Sequence, residues 1–146
     1  MADLKNIVER YMENIACCDF QKIEQLYHGQ YFYIGSDGQK HKGPDARFDV
    51  AGLSLKEFPD LSYEIVNMYQ SGNIVITEFI IRGTHMGDLM GIPPTNRRIE
   101  VPACNIIEIR EGRIYSEREY FDKVYLMQQL GVEDISIVIK TPQVLA

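Results

Sequence analysis

The chain has 146 residues and a formal charge of −6, with 45% apolar and 25% charged residues. That length and balance fit one soluble globular domain with a single sizeable core. The negative charge, with Arg97-Arg98 the sole adjacent basic pair, argues against a nucleic-acid or anionic-membrane surface, and no apolar run approaches the roughly 20 residues of a membrane span. The opening Met-Ala-Asp-Leu-Lys lacks the apolar core of a signal peptide. Cys17, Cys18 and Cys104 are odd in number and lack metal-ligand spacing. These features predict a cytoplasmic protein with buried, reduced thiols.

Taken in order, Leu4, Ile7, Val8, Tyr11, Met12 and Ile15 recur at helical spacing. Asp19 is placed to cap a second helix through Tyr27, which Gly29 would end. Residues 31–34 are short and aromatic, a strand closed by a turn at 35–38. Pro44 sits near the first turn of a third helix with Phe48, Ala51, Leu53 and Leu55 as its apolar residues, and Phe58-Pro59-Asp60 stops it. Strands are predicted at 61–69, 74–81, 99–110 and 114–121. Asp122 is positioned to cap a final helix over 123–130, ended by Gly131. Between the second and third of those four strands, Gly87, Gly91 and Pro93-Pro94 make a stiff, glycine-spaced connection that cannot lie inside a sheet. The domain is residues 1–132; the tail, 133–146, holds a stretch at 135–139 suited to an edge strand or a partner contact. Helices first and four antiparallel strands after them describe an α+β domain, with a curved antiparallel sheet closed by the helices into a cone around one pocket.

Gly83-Thr84-His85, Gly-Ile-Pro-Pro-Thr at 91–95, Arg98, Glu111-Gly112, Ile114, Gln129-Leu130-Gly131 and Phe58-Pro59-Asp60 together resemble the SnoaL-like polyketide cyclases of the nuclear-transport-factor-2-like superfamily, over residues 5–132. The resemblance implies a cone-shaped α+β barrel, a homodimer, no metal or organic cofactor, and intramolecular aldol closure of an aromatic polyketide by a pocket carboxylate. That family's acid/base aspartate lies on the last strand between an arginine and an aromatic residue; the matching triplet here is Arg118-Glu119-Tyr120, which puts Glu119 in its place. The added methylene moves the carboxylate, and a misplacement near 1 Å can change a rate on the order of a hundredfold. A histidine and a glutamine of the family's preceding strand fall on Asn105 and Ala103, and an asparagine of its first strand falls on Tyr33.

Strand alternation points to an overlapping set. Val101, Ala103, Asn105 and Ile107 share a face, which leaves Asn105 as the polar residue on an apolar surface. Glu117, Glu119 and Phe121 share a face of the last strand, opposite Ser116, Arg118 and Tyr120; pattern alone leaves open which is inward, and the resemblance turns the glutamates in. A carboxylate in an apolar pocket beside a second one is suited to proton transfer near neutral pH. The expected catalytic residues are Glu119, Asn105 and Tyr33. The expected ligand contacts are Glu117, His85, Phe121, Tyr11, Met90 and Val50, with His85 also suited to hydrogen-bonding the connection after its strand. The expected ligand is a small hydrophobic, carbonyl-bearing molecule. Ketosteroid-isomerase-like proton transfer, epoxide hydrolysis and a non-catalytic binding role are the rival readings. For epoxide hydrolysis, Phe79 and Ile81 stand where a paired Arg-x-Asp would be needed.

Overall fold

A helical repeat needs a start, and Asp3 supplies it. In the computed structural model, which describes residues 3–134 and Ser136, helix α1 spans Leu4–Ala16 and the Asp3 carboxylate accepts a hydrogen bond from Lys5 N. Ile7, Val8, Tyr11, Met12 and Ile15 are buried, as the spacing predicts. Burying such side chains, at about 1.5–3 kcal/mol each, holds α1 on the sheet.

The second helix is shorter than predicted. Helix α2 covers Phe20–Ile23, one 3-10 turn covers Glu24–Leu26, and strand β1 already begins at Tyr27 and runs Tyr27–Ile34. Asp19 makes no capping bond and instead pairs with Lys22 at 3.1 Å, while Gly29 lies within β1 rather than ending a helix. Tertiary burial explains the difference: Tyr27, Tyr31 and Tyr33 are all buried, and an extended chain delivers them to the core. The turn expected at 35–38 is present, with Gly38 N donating to Gly35 O at 3.0 Å, and a second strand, β2 (Lys40–Lys42), which was not predicted, then pairs with β1.

Helix α3 spans Asp45–Glu57 directly after Pro44. Its inward face is only partly the predicted one: Ala51 is buried and Phe48 packs on the core. Arg47, Ala51 and Glu57 are buried, whereas Leu53 is 56% exposed. An ion pair waiting in the core, described below, turns Arg47 inward and rotates Leu53 away.

Strands β3 (Ser62–Ser71), β4 (Ile74–Thr84), β5 (Arg98–Arg110) and β6 (Arg113–Phe121) follow as antiparallel neighbours. The sheet order is β2-β1-β6-β5-β4-β3. Strand β1 runs parallel to β6, so the sheet is mixed rather than antiparallel, and it is curved but not closed into a barrel. Helix α4 (Lys123–Gln129) starts at Asp122, whose carboxylate accepts a hydrogen bond from Tyr125 N.

The family-like motif residues meet one another. Asp60 accepts hydrogen bonds from Thr84 N at 2.6 Å and Thr84 Oγ1 at 2.8 Å. Gln129 exchanges both of its amide hydrogen bonds with the Glu100 backbone, at 2.7 and 2.8 Å. In the connection after β4, Leu89 and Ile92 bridge across Met90 and Gly91, both at positive φ (52° and 86°), the backbone a tight two-residue turn demands. Gly87 is needed for close approach: a Cβ there would sit 2.2 Å from Lys56 O. Met86 N and Gly87 N both donate to Glu57 O, at 3.0 and 3.2 Å, docking the connection on the end of α3.

The thiols are less buried than expected, Cys17 being exposed and Cys18 and Cys104 half-buried. Among the described residues no helix is long and apolar enough to cross a membrane. The predicted edge stretch at 135–139 lies outside the described residues, apart from Ser136.

Candidate functional site

Between α3, α4 and the inner face of the sheet lies a cavity of about 530 Å³. Its walls are mainly apolar, among them Phe58, Ile81, Val101, Phe121 and Leu126, and the exposed Val50 and Leu53 mark its opening along α3. The polar groups in the wall are few: Tyr33 from β1, Tyr63 from β3, Glu119 from β6, Glu57 from α3, and Asp37, His41, Asp49 and Lys123 around them. A largely apolar cavity of this size with a few convergent polar groups has the character of a small-molecule site.

Of the residues singled out from sequence, Tyr33, Val50, Met90, Glu119 and Phe121 line this cavity. Tyr11, Asn105, Glu117 and His85 do not. Strand alternation explains the split on β6: Glu117 and Glu119 point to the same side, but α1 covers the first and leaves the second facing the cavity. Glu117 is 1% exposed. Its Oε1 accepts a hydrogen bond from Tyr31 Oη at 2.9 Å and a short one from Tyr11 Oη, while Tyr27 Oη donates to Tyr11 Oη at 2.9 Å. Asn105, 2% exposed, lies in register between Thr77 on β4 and Glu119 on β6. Its Nδ2 contacts Met12 Sδ at 3.5 Å, and among the described residues Oδ1 has no partner. His85 is fully buried under the connection, with Nδ1 accepting a hydrogen bond from Thr95 N at 3.2 Å and lying 3.0 Å from Thr95 Oγ1. It secures the connection and stays out of the cavity.

The residue that sequence reasoning missed is Arg47. It is 2% exposed. Its Nε donates to Glu117 Oε2 at 3.3 Å, its Nη2 lies 3.7 Å from Glu119 Oε2, and its guanidinium stands 5.4 Å from the centre of the Tyr33 ring. One cation therefore ties the core carboxylate to the cavity carboxylate. The signal was present: Arg47 lies four residues before Ala51, on the same helical face. Tyr63 on β3 was missed as well, and so were Glu57 and Lys123, each at the end of a helix.

These neighbours set the proton affinities. Burial raises the Glu119 carboxyl above its ordinary range, Arg47 pulls it back, and the Glu117 charge raises it again. Burial raises Glu57 to about 7, with Asp88 adding to the rise and Lys123 opposing it. Burial pushes the Tyr63 phenol up to about 12 and Tyr33 higher still, with Glu119 contributing to both. Both phenols thus keep their protons and are hydrogen-bond donors. Burial also lowers Lys123, although Asp37, Glu119 and Glu57 oppose it. A carboxylate with raised basicity, sharing the wall of an apolar cavity with two phenol donors, is equipped to move a proton from carbon and to steady the oxygen that gains charge. Among the described residues no three His, Cys, Asp or Glu side chains converge as metal ligands would.

Known proteins share this sequence and fold. The family description "SnoaL-like polyketide cyclase" matches residues 5–130. Nogalonic acid methyl ester cyclase of Streptomyces nogalater is 30% identical over 92 residues, 62% of this chain and 69% of that protein. Aklanonic acid methyl ester cyclase of Streptomyces peucetius is 27% identical over 130 residues, 86% of this chain and 89% of that protein. Among solved structures, IdmH of Streptomyces antibioticus, a candidate polyketide cyclase, superposes with a TM-score of 0.81 at 24% identity, covering 90% of this chain and all of that one. A SnoaL-like structure from Jannaschia also reaches 0.81, at 16% identity, covering 90% of this chain and 93% of that one. At those identities the two structures speak for the fold alone.

Proposed function

The chain belongs to the SnoaL-like polyketide cyclase family, and from that membership we propose that it closes a ring in a hydrophobic polycarbonyl substrate by intramolecular aldol condensation, with Glu119 as the base. The observation that carries this reading is the position of Glu119: a carboxylate of raised basicity in the wall of an apolar cavity, 3.7 Å from a buried arginine. A C–H proton flanked by carbonyls passes to Glu119. The resulting enolate carbon attacks a second carbonyl carbon of the same molecule. Tyr33 and Tyr63 donate hydrogen bonds to the enolate oxygen, and the apolar walls exclude water that would compete for that proton. Arg47 holds Glu119 in place and limits how far burial raises its proton affinity.

The curated relatives are named for methyl esters of nogalonic and aklanonic acid, so polycyclic aromatic keto esters are the substrate class to test first. Glu119→Gln keeps the shape but removes the base. It is expected to bind aklanonic acid methyl ester like the parent and to close it roughly 10²–10⁴-fold more slowly. Turnover at the parental rate would sink the assignment.

A further inference from the structure

Glu57 poses a separate question. It is 8% exposed and lines the cavity; among the described residues its carboxyl makes no side-chain hydrogen bond or ion pair, and its oxygens are not among the sealed polar atoms, so they open onto the cavity. Burying a carboxyl without a partner is unfavourable. The fold does not need this side chain, because the connection after β4 docks on the backbone oxygen of Glu57, which any residue would supply. An apolar residue here would bury more favourably. A polar group that opens onto an apolar cavity and that the fold does not use is free to meet a ligand.

We propose that the Glu57 carboxyl is a second working group of the cavity: protonated, it donates a hydrogen bond to a carbonyl oxygen of the ligand, and it gives that oxygen its proton when the ring closes. The second half rests on the cyclase reading; the first stands on the cavity alone. In the full step, Glu119 takes the C–H proton and the enolate carbon bonds to the electrophilic carbonyl carbon. The C=O π bond breaks, and the new alkoxide takes the Glu57 proton. Glu57 is left as carboxylate and Glu119 as acid. Net transfer of one proton from Glu119 to Glu57 through solvent at the opening resets the site. The charged groups around Glu57 suit this exchange. Asp88 on the connection opposes ionisation of Glu57, Lys123 on α4 favours it, and Lys123 also feels Glu119 and Asp37. His85, beneath the same connection, faces Phe58 and Thr95.

Anthraquinone, a polycyclic ketone with no titratable proton, is the probe. Its affinity and bound carbonyl stretch are measured between about pH 5.5 and about pH 8.5 on the parent, Glu57→Gln and Glu119→Gln. The parent is expected to bind about tenfold more weakly at the alkaline end, where the acid has lost the proton it donates, and the carbonyl stretch to be lowered only at the acidic end. Glu57→Gln keeps an N–H donor, so its affinity and lowered stretch become independent of pH. Glu119→Gln keeps the parental profile. A flat parental profile, a profile that survives in Glu57→Gln, or failure to bind the ketone would each overturn the proposal. If Glu119→Gln turned over normally, the cyclase reading would fall while this profile stood, so the two failures are distinguishable.

Discussion

Replacing Glu57 by Gln should stabilise the protein, and only above acidic pH. The carboxyl is held at about 7 in the fold, against an ordinary value of 4.5. Because the carboxyl oxygens open onto the solvent-accessible cavity, screening leaves only part of that rise as stability, about 1–2 kcal/mol once the group is ionised in both states. The sign follows from linkage. A carboxyl raised in the folded state contributes fully below its unfolded value and loses that contribution as pH climbs to its folded value. The parent therefore loses stability between about pH 4.5 and pH 7, and Gln, which cannot ionise, does not. Urea unfolding at pH 8 should show Glu57→Gln more stable by about 1–2 kcal/mol, a midpoint higher by roughly 0.5–1 M for an unchanged slope near 2 kcal/mol/M. At pH 5 the gain should shrink below about 0.5 kcal/mol. An equal gain at both pH values, or a loss at pH 8, would refute the account of Glu57 as a cavity acid that is costly to ionise.

Arg47→Met should destabilise the fold by about 3–5 kcal/mol at pH 8, since Glu117 keeps only its tyrosine donors and Glu119 loses its cation. Without that cation the Glu119 carboxyl rises further, so the loss should narrow as pH falls toward the unfolded glutamate value near 4.3; urea midpoints at pH 5 and pH 8 check both points, and a loss under about 1 kcal/mol at pH 8 contradicts the pairing. Gly87→Ala must push its new methyl off Lys56 O, 2.2 Å away, which lifts the connection from the end of α3. The expected result is a loss of about 1–3 kcal/mol and faster amide exchange at Met86 and residue 87, whose N–H groups now bond Glu57 O.

The sequence showed most plainly those elements whose pattern is local. The α1 stripe, the long strands from β3 onward and the Asp122 cap all carry their periodicity or cap chemistry within a few residues. Asn105 was legible because one polar residue on an apolar strand face is conspicuous. What local pattern could not show was partnership at a distance. Strand β1 pairs with β6, far along the chain, so residues 27–30 looked like a helix end with Gly29 as its stop. Arg47 drew no notice in the sequence because its partner carboxylates lie far along the chain, on β6. The same gap concealed the difference between Glu117 and Glu119, which share a face but meet different neighbours. The motif residues that carry the family resemblance are chiefly scaffold contacts, such as Asp60 with Thr84 and Gln129 with Glu100. They identify the fold more directly than the chemistry.

The parallel pairing of β1 with β6 also decides when the cavity can first exist. During synthesis the ribosome releases Tyr33 early and Glu119 near the end, and until β6 emerges β1 has only the three-residue β2 beside it. A nascent chain therefore holds an aromatic strand with one long edge unpaired, a state prone to misassociation. The last strand both covers that edge and brings in the carboxylate. A chain that ends before β6 lacks both the base and the strand that joins β1 to β5, so Tyr33 and the β3–β5 walls come together only when the carboxylate arrives.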